Sequence, residues 1–315
     1  MGVVSQGKGE IPEFDGMRGW IFVKSDTSDG TRIWIERAIP MLRRDCLRIM
    51  TAGSISALTI GNDLVLAQDQ VQKKLKKLPI PGETFQVSGR EAFLILSQKS
   101  PAKSKPWVWY APTLPGLPGV EEKWMFDQFL AAGISIAGID VGESFGSPTG
   151  RNQFTALFEE MTKKRGFSTK PALLARSRGG LMLYNWAAEH PENVGCIAGI
   201  YPVCDLSSWP GIEKAAPAYG MTPEELKMVL KSHNPVSRLK SLADSKVPIF
   251  HIHGDVDTVV PLDRNSGAVA LEYAKLGGQM ILEVPKGQGH NMWRGFFESE
   301  TLVDFILKEL KSSQP

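Results

Sequence analysis

Apolar residues along this chain gather in short runs separated by stretches of helical periodicity. Runs at 107–111, 134–139, 172–175, 196–203, 249–253 and 280–284 are mostly apolar and bounded by turn residues. That is the signature of strands covered on both faces. Apolar residues spaced three and four apart predict helices at 121–132, 151–164, 263–276 and 299–311, and one from the turn after 175 to about His190. Two further strands, near 84–88 and 91–97, are antiparallel because their connection is short. Strands alternating with helices define an α/β protein with a mostly parallel central sheet and helices on both faces. Residues 205–246 interrupt the alternation as an insertion, with a helix start at Met221-Thr222-Pro223-Glu224-Glu225.

Chemistry enters at Leu173-Leu174-Ala175-Arg176-Ser177-Arg178-Gly179-Gly180. A strand ends, a serine sits on a sharp turn, glycines follow, and a helix begins. This is the nucleophile elbow of the α/β-hydrolase fold, whose pattern is Gly-x-Ser-x-Gly. Small residues are needed two positions either side of the serine, because the strained turn brings strand and helix backbones together. Here Ala175 stands at the first position and Gly179 at the second.

A serine hydroxyl becomes nucleophilic when a base takes its proton, and the base needs an acid to orient it. In this fold the chain order is Ser, acid, His. The strand at 249–253 runs into Gly254-Asp255-Val256-Asp257, and the strand at 280–284 runs into a glycine-rich loop ending at His290. Ser177, His290 and one of the two acids Asp255 and Asp257 are therefore the expected triad. Asp255 competes for the acid role; its alternative task is to cap the loop through backbone N–H groups. His251 and His253 read as residues that pack or bond locally at a strand end. His190 marks a helix stop, and His233, in the insertion, carries no signal.

The tetrahedral intermediate of acyl transfer needs two N–H donors. One is the backbone N–H of Arg178; the other is expected from the proline-rich loop after 107–111, where Thr113 and Leu114 can donate and the prolines cannot. Arg176 and Arg178 flank the serine. They either fork a substrate carboxylate or pair with local acids such as Glu143 or Asp140 and brace the elbow. Arg176, Glu143 in the loop 140–148, and Trp293 are the candidate substrate contacts, with Asn291 a further rim position. The insertion at 205–246 is expected to form a small lid over the nucleophile.

Composition narrows the setting. A net charge of +2 over 315 residues, without a long basic run, predicts no nucleic-acid binding. Of three cysteines, Cys46 falls within 41–67, and the remaining two, Cys196 and Cys204, are too few for a disulfide framework. No metal or organic cofactor is implied. Residues 41–67 carry Arg43-Arg44, a modest apolar stretch and Val65-Leu66-Ala67, the layout of a twin-arginine export signal with a cleavage site. The alternative is an amphipathic helix of the folded domain. The stretch is too short and broken for a permanent membrane span. Residues 1–40 read as an extension of unknown role, with Met41 a candidate start and 68–315 the hydrolase domain. The expected partner is the twin-arginine export machinery, and the expected location is periplasmic or secreted.

The region from about 80 onward resembles bacterial exported α/β-hydrolases of the carbohydrate-esterase type, some acting on pectin-like polysaccharides. The resemblance lies in Ser177-Arg178-Gly179-Gly180-Leu181, Tyr184-Asn185-Trp186-Ala187, Pro202-Val203-Cys204-Asp205 with Ser208-Trp209-Pro210-Gly211, and Gly254-Asp255-Val256-Asp257 with Val259-Val260-Pro261. It favours Asp257 over Asp255 as the acid. It implies an exported serine esterase removing methyl or acetyl groups from a carbohydrate, with a small-molecule or polysaccharide ester as substrate. Two alternatives stand beside it. One is a peptidase similar to the prolyl oligopeptidase catalytic domain, against which the expectation sets a chain with no room for the accompanying β-propeller. The other is a non-catalytic binding module on a hydrolase scaffold.

Overall fold

The computed structural model describes residues 20–26, 32–38, 76–99 and 105–312. The chain divides into two units, Met1–Gln70 and Val71–Pro315. In the first, β1 (Trp20–Asp26) and β2 (Arg32–Ala38) pair as an antiparallel hairpin with Trp20 opposite Ala38. The export signal read at 41–67 lies outside the described residues.

The second unit is built on an eight-stranded sheet. Its strands are β3 (Glu83–Val87), β4 (Arg90–Ile95), β5 (Trp107–Ala111), β6 (Ser135–Ile139), β7 (Ala172–Arg176), β8 (Cys196–Ile200), β9 (Ile249–Ile252) and β10 (Met280–Glu283), in the spatial order 10-9-8-7-5-6-4-3. β4 is antiparallel to β3 and β6; the other pairings are parallel. The central strands β5, β6, β7 and β8 are buried at every position, which explains why they read as continuous apolar runs rather than alternating ones.

Successive residues of one strand feed opposite layers. Trp107, Trp109, Leu173 and Ala175 join one core with Phe154 and Leu157 of α2 (Pro148–Glu159), Met182 and Trp186 of α3 (Gly179–Ala187), and Tyr273 of α7 (Ser266–Lys275). Val108, Tyr110, Ala172 and Leu174 join the other with Phe126 and Phe129 of α1 (Lys123–Ala131) and Leu302 and Ile306 of α8 (Glu300–Ser312). The period-two side-chain alternation of strands thus produces the two-faced sheet.

The insertion folds into α4 (Ile212–Tyr219), α5 (Pro223–Met228) and α6 (Lys240–Asp244). Thr222 and Glu225 close a reciprocal capping box on α5, each side chain accepting from the other's backbone N–H. The insertion has its own small core, in which Leu206, Ala216, Tyr219 and Leu226 pack on Phe145, Leu181 and Val260. The Tyr219 hydroxyl also donates to the Phe145 carbonyl at 2.8 Å. These contacts seat the insertion on the loop after β6 and on the elbow helix α3.

Candidate active site

The chain leaves β7, turns at Ser177 and enters α3. Ser177 holds φ at +48°, in the left-handed region that non-glycine residues avoid unless the surroundings impose it. The surroundings here are explicit. The Ser177 N–H donates to the Ile200 carbonyl at 3.0 Å, and its carbonyl accepts from Gly180 N at 2.9 Å and Val203 N at 2.8 Å. Gly180 permits this proximity, since a Cβ there would lie 2.4 Å from the Val203 carbonyl oxygen. Ala175 sits opposite Ala111 in one ladder and Gly199 in the other, three small residues in a row.

The acid loop follows β9 and the histidine loop follows β10. They are fastened together. Val256 N donates to the Gln288 carbonyl at 3.1 Å, Asp255 N to the Pro285 carbonyl at 3.3 Å, and Gly287 N to Asp255 Oδ1 at 2.6 Å. Asp255 therefore ties one loop to the other. Asp257 turns toward His290 instead, with Oδ2 2.7 Å from His290 Nδ1. His290 Nε2 lies 2.9 Å from Ser177 Oγ. With the Nδ1 proton directed to the carboxylate, Nε2 presents a lone pair to the serine hydroxyl, as a general base requires.

Electrostatics support the ionised acid. Burial alone would raise the Asp257 carboxyl; hydrogen bonds from His253 and His290 and from the Val260 amide outweigh it and hold the group well below the usual carboxylate range. Oδ1 accepts from Val259 N at 2.9 Å and Val260 N at 2.8 Å. The Tyr201 ring packs at a tilt of 51° against the His290 imidazole with centroids 4.3 Å apart, and burial pushes its phenol up to about 12.

Thr113 is buried and Leu114 half-buried on the loop after β5. Lys76 Nζ donates to both of their carbonyls, at 2.8 and 3.1 Å, and so fixes the peptide planes of the loop expected to supply the second oxyanion donor.

The two arginines beside the serine part company. Arg178 and Glu143 form an ion pair at the surface, and the Arg178 guanidinium lies 4.8 Å from the Trp209 ring centroid. Arg176, expected as a substrate contact, is corrected to a buried brace. It is 8% exposed, with Nη1 2.6 Å from Glu122 Oε1, Nη2 2.9 Å from Met292 Sδ and its guanidinium 4.9 Å from the Phe297 centroid. Glu122 also accepts from the Tyr110 hydroxyl and from Gly119 N, each at 2.8 Å. Both ends of the Arg176 fork are thus occupied. Its partner is neither Glu143 nor Asp140; Asp140 accepts from Gly142 N at 2.8 Å. Sequence spacing gives no hint of Glu122, 54 residues away.

On the rim, Trp293 is 40% exposed and packs edge-on against Phe296; Asn291 accepts from its backbone N–H at 2.9 Å. Among the described residues, no group of three or more His, Cys, Asp or Glu is placed to hold a metal ion, and no helix is long and apolar enough to cross a membrane. Cys196 and Cys204 are buried free thiols.

The sheet, the elbow and the juxtaposed loops define a serine hydrolase of the α/β-hydrolase class. The chain belongs to the prolyl oligopeptidase family, matched over residues 151–313. No curated protein sequence matches it. Among solved structures, dipeptidyl peptidase 4 of Porphyromonas gingivalis is similar at 12% identity and a TM-score of 0.58, covering 74% of this chain and 36% of that one. A puromycin-hydrolyzing peptidase of Mycobacterium tuberculosis is similar at 14% identity and 0.55, covering 74% and 39%. Est1E from Butyrivibrio proteoclasticus is similar at 16% identity and 0.55, covering 74% of this chain and 100% of that one. At these identities the likeness is one of fold. The chain spans 36% to 39% of the length of the first three structures it resembles.

Proposed function

We propose that this serine hydrolase is a peptidase, cleaving an amide bond by acyl transfer through Ser177, His290 and Asp257. The observation that carries the acyl-transfer mechanism is the 2.9 Å contact between Ser177 Oγ and His290 Nε2, backed by the 2.7 Å contact to Asp257. Membership of the prolyl oligopeptidase family supports amide over ester as the bond cleaved. His290 takes the hydroxyl proton as Ser177 attacks the carbonyl, and returns it to the leaving group as the acyl-enzyme forms. Water, deprotonated by His290, then releases the acid. The Arg178 backbone N–H and a donor from the Thr113–Leu114 segment stabilise the oxyanion.

A second reading is the removal of methyl or acetyl groups from a carbohydrate. It draws support from the aromatic residues near the site, Trp209 beside Arg178 and exposed Trp293 after the histidine loop, which suit stacking on a sugar face. The likeness to Est1E over that protein's full length also supports it. The two readings separate on matched chromogenic substrates that share one acyl group, as anilide and as ester, followed by a screen of methylated and acetylated polysaccharides. Turnover of the ester series alone overturns the peptidase reading.

Ser177→Ala is expected to lower kcat by about 10⁴- to 10⁶-fold on either substrate and to abolish fluorophosphonate labelling. A variant that keeps its activity removes the mechanism. We also propose export by the twin-arginine route, on the strength of the 41–67 segment. N-terminal sequencing of the exported protein should then read from near Gln68.

A further inference from the structure

We propose that His253 is a positioning residue for Asp257, held in the required tautomer by the Val260 carbonyl on one ring nitrogen and by a buried relay through Ser266, His251 and Tyr184 on the other. This rests on the triad reading above.

The hydrogen-bond directions follow from one fixed point. His253 Nε2 lies 2.8 Å from the Val260 carbonyl oxygen and 3.3 Å from Asp257 Oδ2. A carbonyl oxygen only accepts, so Nε2 carries a proton, and the tautomer with that single proton leaves Nδ1 as an acceptor. Ser266 Oγ, 2.8 Å from that Nδ1, must donate to it. The hydroxyl has a single proton, so its other contact, 2.9 Å to His251 Nδ1, runs the opposite way, with His251 donating. His251 Nε2 is then an acceptor, and the Tyr184 hydroxyl donates to it at 2.7 Å. Each proton has one place. The chain Tyr184–His251–Ser266–His253 ends on the Val260 carbonyl, with His253 Nε2 also 3.3 Å from the carboxylate oxygen that His290 uses.

Position explains what the relay does. The Asp257 Oδ1 partners, Val259 N and Val260 N, belong to the same loop as Asp257 and move with it. His253 directly follows β9, which is paired on both sides by β10 and β8, and its Nε2 lies 3.3 Å from Oδ2. One carboxylate oxygen is thus referenced to the loop and the other to the sheet. Tyr184 is 1% exposed, and His251, His253 and Ser266 are fully buried. None can touch a substrate, so any effect on turnover passes through Asp257. Gly199 on β8 makes the space, since a Cβ there would lie 2.7 Å from the His251 ring.

The test uses the full chain with p-nitrophenyl acetate turnover and the rate of fluorophosphonate labelling. One charge-assisted hydrogen bond is worth about 1.5–3 kcal/mol, so His253→Phe is expected to lower both rates by roughly 10- to 100-fold, with KM changed less than about twofold. His253→Gln keeps an N–H donor within reach of Oδ2 and is expected to recover most of the loss. Ser266→Ala removes one of the two contacts that hold the tautomer, leaving the Val260 carbonyl, and should fall between the two. In an Asp257→Asn background the His253→Phe effect should shrink to under about threefold, because the group it acts through is gone. An equal fold loss in both backgrounds, or unchanged rates for His253→Phe, overturns the proposal. If His253→Phe does not fold, Ser266→Ala decides, and wild-type rates for it overturn the proposal. Should Ser177→Ala keep its activity, the triad reading itself fails. Should Ser177→Ala be inactive while His253→Phe is unimpaired, only this inference fails.

Discussion

A Cβ placed on Gly179 would lie 2.0 Å from the carbonyl oxygen of Ala111 and 2.4 Å from its carbonyl carbon. The first turn of α3 therefore rests directly on the end of β5, with no room for a side chain. Both groups are backbone and cannot rotate away. This contact sets the distance between the elbow and the loop carrying Thr113 and Leu114.

Gly179→Ala must push the helix start off β5. A displacement of about 1 Å at the reacting centre costs on the order of 10²-fold in rate. The expected outcome is a fluorophosphonate labelling rate reduced by about that factor, with a lowered Tm. Wild-type labelling with an unshifted Tm would show that the elbow tolerates the methyl.

Asp255 and Asp257 lie two residues apart in one loop and hold different partners, Gly287 N and His290 Nδ1. Replacing each by Asn separates their roles. Asp257→Asn keeps shape but removes the charge that fixes the His290 tautomer, and kcat is expected to fall about 10⁴-fold. Asp255→Asn keeps a carbonyl oxygen for the Gly287 N–H and should cost less than about tenfold. Reversed effects, measured as kcat on one chromogenic substrate, would move the acid role to Asp255.

What the sequence made legible is what lies close along the chain. The elbow is a single continuous strand-turn-helix, so Ser177 could be read from local pattern. Asp257 and His290 each follow a recognisable strand, and chain order did the rest. The carbohydrate-esterase resemblance is another matter, since the family found here is that of prolyl oligopeptidase. Arg176 was legible as a residue beside the nucleophile, yet its burial depends on Glu122 and Met292, which only the fold brings near. His253 read as a local packing residue. A spacing of four before the acid was a faint clue, but its link to Asp257 needs the loop to curl back over the strand end. The apolar run extends over 196–203 while β8 stops at Ile200, because apolar residues continue into the buried turn at Tyr201, Pro202 and Val203.

The Arg176–Glu122 pair is buried on both sides, at 9% and 0% side-chain exposure. Removing one charge leaves the other stranded. Glu122→Gln is expected to destabilise the protein by about 3–5 kcal/mol in urea unfolding. It should also loosen the 112–119 loop, since Glu122 accepts from Gly119 N. The double change Glu122→Gln with Arg176→Met removes both charges and should recover much of that stability. A Glu122→Gln variant as stable as the wild type would mean that the pair contributes little.

Acid stability offers a separate measurement of the buried relay. Burial, and then the neighbouring His253, push His251 down to about 3 from an ordinary 6.5. The folded state therefore keeps this ring neutral at a pH where the unfolded chain has protonated it. The unfolded state binds more protons, so the stability is present above about 6.5 and is lost as pH falls toward 3. At one pH unit below the unfolded value the loss is about 1.4 kcal/mol. Asp257, held low, has the same sign but a lower window, with its contribution lost only as pH falls below the ordinary 3.8. His233 is shifted down by partial burial and adds to the upper window. Unfolding free energies from urea titrations at pH 7 and 5.5 should thus differ in the wild type, and His251→Gln, which cannot take up the proton in either state, should narrow the difference by about 1.3 kcal/mol. An unchanged pH dependence in that variant would show that His251 is protonated alike in the folded and unfolded chains, and the directions assigned along the relay would have to be redrawn.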